Sequence, residues 1–129
     1  MNKIIEQSVK IKKKVVESDE KEEGIRKILN YGHTYGHAVE RLSGYKHPHG
    51  YAISIGMVLE NKIAVKKKFL STKDSERIKK LLKKAGLPVI TMQIPKLTDL
   101  KSDKKRTGNF IKMPLPTAIG KTRIYNLSL

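Results

Sequence analysis

The first eighteen residues alternate apolar and basic positions at helical spacing. Ile4, Ile5, Val9, Val15 and Val16 supply the apolar side, so residues 2–18 are predicted to form an amphipathic helix. The acidic run from Asp19 to residue 23 interrupts this pattern. It suits the start of a following helix, where the backbone dipole favours negative charge. That second helix is predicted from about Gly24 to Leu42, with Ile25, Ile28, Leu29, Val39 and Leu42 on its apolar face. Gly32 and Gly36 fall inside it. Each glycine costs about 1 kcal/mol relative to alanine in a helix interior. The pair therefore implies a reason, such as close approach of another backbone or of a ligand.

Residues 43–50 are rich in turn formers and read as a loop. A third helix is predicted from about Tyr51 to Phe69. Its first half (Ile53, Ile55, Met57, Val58, Leu59) is apolar nearly all round and reads as buried, and its second half is lysine-rich and exposed. Ser71 and Asp74 have the spacing of a capping box, and a fourth helix, about 73–85, stops at Gly86 and Pro88. A helical turn is predicted at 97–104. Asn109–Pro114 and Thr122–Leu127 read as short strands around a turn region that spans Pro114 to Gly120. The expected fold class is mainly α: a single multihelical domain over residues 1–129 with a small β-hairpin near the C-terminus.

The net charge of +16 points to an anionic partner. Nucleic acid, an acidic membrane surface and a phosphorylated small molecule all fit, and a lysine-rich proteome or a hot habitat would also account for the surplus. The lysines are spread along the chain and aromatic residues make up 5%, which argues against a nucleic-acid stacking platform. Cysteine is absent, so disulfides and thiolate zinc sites are excluded. Met1–Val9 is not a signal peptide, and the longest apolar stretch, Tyr51–Leu59, is far below the roughly 20 residues that span a bilayer. A soluble, cytoplasmic protein is expected.

The residues with chemistry lie on the second predicted helix. Arg26, Asn30, His33 and His37 are spaced by four, three and four, which places them on one helical face. A stripe of guanidinium, amide and imidazoles is costly to bury without partners, and a metal and an anionic substrate would supply them. Any one of these residues alone would read as ordinary solvated surface. As a set they carry more, because all four histidines lie between residues 33 and 49. Histidine is the usual nitrogen ligand of zinc. His33 and His37 form an H-x-x-x-H pair, but Thr34 stands where a zinc peptidase needs its glutamate, so that class is rejected. His49, in the following loop, could reach back to a metal held by His33. The residues alone thus indicate a helical domain with a two-histidine half-site and a basic anion pocket.

Lys12, Val15-Val16, Asp19 to residue 22, Gly24, Arg26, residues 29–34 (Leu-Asn-Tyr-Gly-His-Thr) and Gly36-His-Ala38 together resemble the signature block of the 3-dehydroquinate synthase family. His49-Gly50, Ala52 and Gly56-Met57 resemble its next block. Lys79 to Pro88 resembles its helix ending in Ala-Gly-Leu-Pro, and residues 103–105, Gly108 and Leu115 to Gly120 resemble its closing segment. The resemblance implies a dehydroquinate synthase C-terminal domain. The whole enzyme would convert 3-deoxy-D-arabino-heptulosonate 7-phosphate to 3-dehydroquinate and phosphate in the shikimate pathway of aromatic amino-acid biosynthesis. It implies NAD, held mainly by an N-terminal nucleotide-binding domain absent from this chain, and a divalent metal, zinc or cobalt. It implies His33 and His49 as metal ligands beside an upstream glutamate, and Lys12 and Arg26 as holders of the substrate carboxylate. Asn30 and His37 would be catalytic, substrate-contacting residues, and Lys104, or Lys105 beside it, a phosphate-binding lysine. A homodimer is implied for the whole enzyme, and the chain by itself is expected to be inactive. One departure is Tyr51, where the family usually has glutamate after His-Gly. Two alternatives stay open: another sugar phosphate cyclase, of the aminodehydroquinate or deoxy-inosose type, and a basic nucleic-acid-binding helical module.

Overall fold

The structure, a computed structural model, describes residues 1–21, 24–101 and 106–129. Five helices follow in order: α1 (Asn2–Ser18), α2 (His33–Leu42), α3 (His49–Lys66), α4 (Thr72–Lys84) and the single turn α5 (Leu97–Leu100). A 3₁₀ segment, Ile25–Asn30, lies between α1 and α2. Strands β1 (Arg106–Thr107), β2 (Phe110–Ala118) and β3 (Lys121–Ser128) form an antiparallel sheet in that order. The mainly helical fold with a C-terminal hairpin is as expected, with β1 added to the hairpin. The predicted turn at 97–104 is α5, and residues 102–105 lie outside the described residues.

The second helix is not continuous, which corrects the reading of residues 24–42. Residues 25–30 wind as 3₁₀, Tyr31 is extended at φ −55° and ψ 128°, and α2 begins only at His33. The break lies at Gly32, whose φ of 84° is left-handed and open to glycine at little cost. Its N–H donates to Glu60 Oε2 at 2.6 Å, and the Tyr35 N–H donates to Glu60 Oε1 at 3.3 Å. A carboxylate from α3 thus caps α2, where the unsatisfied N–H groups and the dipole both favour an anion. The acidic run before residue 24 acts as expected at one residue: Asp19 Oδ2 accepts from the Gly24 N–H at 2.7 Å and from the Arg26 N–H at 2.9 Å.

Helices α2 and α3 pack at glycine-to-glycine distance, which is the backbone approach that Gly32 and Gly36 implied. A Cβ placed on Gly56 of α3 would overlap the Gly32 carbonyl oxygen and lie 2.6 Å from the Gly36 nitrogen. Tyr35, Ala38 and Val39 of α2 join Ala52, Ile55, Leu59 and Ala64 of α3 in the core, which Leu70, Leu100 and Ile111, Met113 and Leu115 of β2 complete. Helix α3 starts at His49, two residues before its predicted start, with Pro48 as its N-cap.

The hairpin departs from expectation at its prolines. Pro114 and Pro116 read as turn residues, yet β2 runs through both to Ala118, and the turn lies at residues 119–120. Among the described residues, β1 pairs with Phe110 and Ile111, and from Lys112 onward β2 is paired with β3. Proline donates no ladder bond, so it fits a strand where its N position faces away from a hydrogen-bonded partner.

At α4 the Ser71 Oγ accepts from the Asp74 N–H at 3.0 Å, as the capping spacing indicated. Ser71→Ala should lower stability by about 1 kcal/mol, read as a shift in the urea midpoint with an unchanged slope. Helix α1 buries none of its residues, and Ile4, Ile5, Val9 and Ile11 are exposed. Among the described residues, no helix is long and apolar enough to cross a membrane.

Candidate metal and anion site

The α2–α3 crossing brings three histidines together. One helical turn separates His33 from His37 on α2, and His49 is the first residue of α3. The ring centroids of His33 and His37 are 5.4 Å apart, those of His33 and His49 5.4 Å, and those of His37 and His49 6.1 Å. His33 and His37 are half-buried and His49 is exposed. Among the described residues, the ligand atoms of His37, Glu40 and His49 all lie within 4.8 Å of one another. The fourth histidine, His47, faces elsewhere, into a cavity of about 300 Å³ lined by Val39, Leu42, Ile90 and Met92.

The donor set fits a divalent metal. A histidine presents one ring nitrogen to a metal when the other donates to an oxygen, which fixes tautomer and ring orientation. His33 Nδ1 lies 3.3 Å from the Tyr31 carbonyl oxygen, and His49 Nδ1 lies 2.7 Å from Glu40 Oε1. Both oxygens can only accept, so in each neutral ring the proton is on Nδ1 and the lone pair on Nε2. His33 and His49 also line one cavity of about 240 Å³, whose walls include Ile53, Met57, Leu82 and Leu87. Apolar walls of this kind strengthen the electrostatics of a bound cation.

The basic residues form a second cavity, of about 520 Å³, between α1 and the 3₁₀ segment. Ser8, Ile11 and Lys12 form one wall, and Arg26, Leu29 and Asn30 the other. The Arg26 Nη1 donates to the Glu20 carbonyl at 2.7 Å, which holds the guanidinium at the cavity. A fork and a point charge facing each other suit a carboxylate or phosphate. The four-three-four stripe spans both cavities. Arg26 and Asn30 line this cavity and His33 the other, because the break at Tyr31–Gly32 resets the helical phase between them. Lys104 and Lys105 lie outside the described residues.

Two carboxylates of the site region were missed in the sequence. Glu40 continues the three-and-four spacing through His33 and His37, and extending the stripe by one step would have found it. Glu60 stands next to the apolar stretch of α3 and is fully buried, at 0% exposure, and a charge there needs a partner. Tyr51, the departure from the family pattern, is exposed on the first turn of α3.

Comparison with known proteins identifies the family. The family described as "3-dehydroquinate synthase C-terminal" matches residues 1–106. The chain is 47% identical over 127 residues to a 3-dehydroquinate synthase of Prochlorococcus marinus, covering 95% of this chain and 35% of the relative. It is 46% identical over 126 residues to a 3-dehydroquinate synthase of Thermodesulfovibrio yellowstonii, covering 94% and 35%. The chain thus spans about a third of the length of these curated relatives. A crystal structure of 2-deoxy-scyllo-inosose synthase superposes with a TM-score of 0.73 at 26% identity, over 91% of this chain and 35% of that one. Another, complexed with carbaglucose-6-phosphate, NAD+ and Co2+, superposes with a TM-score of 0.67 at 29% identity, over 84% and 32%. With the match running through every helix and the histidine cluster, this chain belongs to the 3-dehydroquinate synthase C-terminal family.

Proposed function

We propose that this chain is the metal- and substrate-binding part of a 3-dehydroquinate synthase, a phosphate-eliminating lyase that turns 3-deoxy-D-arabino-heptulosonate 7-phosphate into 3-dehydroquinate. One observation carries the reading: residues 26–37 supply both a wall of the basic cavity and two of the three converged imidazoles. His33 and His49 hold the metal, zinc or cobalt, completed by a carboxylate from outside this chain. The metal, when bound, polarises the substrate hydroxyl that is to be oxidised. Lys12 and Arg26 bind the substrate carboxylate. Asn30 orients the substrate, and His37, whose imidazole can both accept and donate a proton, moves a proton at the phosphate end. Lys104 binds the phosphate. NAD is held by an upstream nucleotide-binding domain, the complete enzyme is a cytoplasmic homodimer of the shikimate pathway, and this chain alone does not turn over substrate.

The structural neighbours support a second reading, a cyclase of the deoxy-inosose type. Its substrate would carry phosphate but no carboxylate, so Lys12 and Arg26 discriminate between the two. Joined to a nucleotide-binding segment by fusion or co-expression, the chain should form dehydroquinate when NAD and the metal are supplied. In that enzyme Arg26→Ala should lower kcat/KM by about 10–100-fold, because a desolvated carboxylate loses a charged hydrogen bond worth roughly 1.5–3 kcal/mol. Metal content should stay at the wild-type level. Unchanged kinetics in Arg26→Ala, with preferred turnover of a carboxylate-free hexose phosphate, would replace this reading by the second.

A further inference from the structure

We infer that Glu40 is the positioning residue of the histidine cluster: its carboxylate holds His49 in the tautomer that presents Nε2. The inference rests on the metal reading above for its purpose, but its geometry is independent of it. Glu40 Oε1 lies 2.7 Å from His49 Nδ1, and the two residues come from different helices, α2 and α3. The Glu40 side chain is 14% exposed, whereas that of His49 is 59% exposed. The rigid partner is therefore the carboxylate, and the mobile one is the ring that it orients.

Three further observations fit this role. Glu40 is anchored by its backbone, whose carbonyl accepts from the Tyr45 N–H at 2.7 Å and from Ser43 Oγ at 2.9 Å, which closes the C-terminal turn of α2. Among the described residues, the ring neighbours of His49 are the imidazoles of His33 and His37, neither of which is an anion able to fix a tautomer. With Tyr51 in the position two residues on, no carboxylate neighbours His49 on its own helix turn. A carboxylate that accepts from the far nitrogen also makes the imidazole a stronger donor to a cation. Glu40 could instead ligate the metal directly, since its oxygens lie within reach of His37 and His49. Its bond to His49 Nδ1 favours the positioning role, because a directly ligating oxygen would be drawn away from that nitrogen.

The test uses the chain labelled with ¹⁵N in its histidine rings, at a pH where the imidazoles are neutral. Without metal, two-bond ¹H–¹⁵N correlations should show His49 protonated on Nδ1. Glu40→Gln should keep that tautomer, because its amide oxygen still accepts, and Glu40→Ala should move His49 towards the Nε2–H form. Zinc ion alone, titrated against the same signals, should bind about 10–100-fold more weakly to Glu40→Ala than to the wild type, and Glu40→Gln should stay close to the wild type. A wild-type His49 protonated on Nε2, or a tautomer that Glu40→Ala leaves unchanged, would overturn the inference. So would equal loss of zinc in Glu40→Gln and Glu40→Ala, which would make Glu40 a direct ligand. Absence of any zinc response at His33 and His49, with the tautomer as expected, would strike the metal reading and spare the pairing of Glu40 with His49.

Discussion

Gly56→Ala should cost this domain about 3 kcal/mol or more, and thermal unfolding should start about 10 °C lower or earlier still. The added methyl has nowhere to go. It would overlap the Gly32 carbonyl oxygen and press on the Gly36 nitrogen, and both are backbone atoms that cannot rotate aside. Relief requires α2 and α3 to separate, which would uncover Ala38, Val39, Ala52 and Ile55 together. Gly50→Ala is the matched control. Gly50 is in the same helix, with nothing within 4 Å of the added carbon. There the usual helix preference for alanine should hold, and the change should be neutral or stabilising by up to about 1 kcal/mol. Circular dichroism melts of the two variants check the pair. Equal melting temperatures would mean that the helices are not packed at glycine distance.

The second large effect should appear in the enzyme completed with a nucleotide-binding segment. His33→Ala or His49→Ala should abolish metal retention and turnover together. On the proposed reading each substitution removes a ligand outright, so the loss should exceed the roughly 10–100-fold that disturbing a ligand's hydrogen-bond partner costs. His47→Ala should leave both properties intact, because His47 lines the separate cavity beside Ile90 and Met92. Metal analysis of the purified variants, beside steady-state kinetics, is the measurement. A His33→Ala enzyme that keeps its metal would transfer the ligand role to His37 and Glu40, the pair that with His49 forms a compact set of donors.

Periodicity revealed the helices of this chain well, because each of α1, α3 and α4 carries one uninterrupted pattern ended by a recognisable stop. It failed at Gly32. There the residues on both sides keep helical spacing, and nothing local signals that Glu60, 28 residues away, captures the Gly32 N–H. The hairpin itself was legible, but its turn was placed too early. Pro114 and Pro116 are turn formers by local preference, yet both lie within β2 and pair in register with Ile124 and Thr122 of β3. Among the candidate site residues, His33, His37 and His49 stand out by their clustering and Arg26 by its helical spacing, whereas Lys12 comes only from the family resemblance. The phase break between Asn30 and His33 was not legible. Glu40 was readable by simple extension of the stripe, but a glutamate on a lysine-rich chain is easily passed over as surface.

Helix α1 forms one wall of the basic cavity while burying none of its own residues. The distance from Lys12 to Arg26 therefore depends on an element that the rest of this chain holds only weakly. Two equilibria are then linked: the seating of α1 against the 3₁₀ segment, and the capture of an anion between them. Whatever covers Ile4, Ile5 and Val9 and steadies the helix must raise anion affinity, and the anion must strengthen that cover by the same factor. Anion affinity in this domain is thus a shared property, set partly at a hydrophobic surface outside the basic cavity.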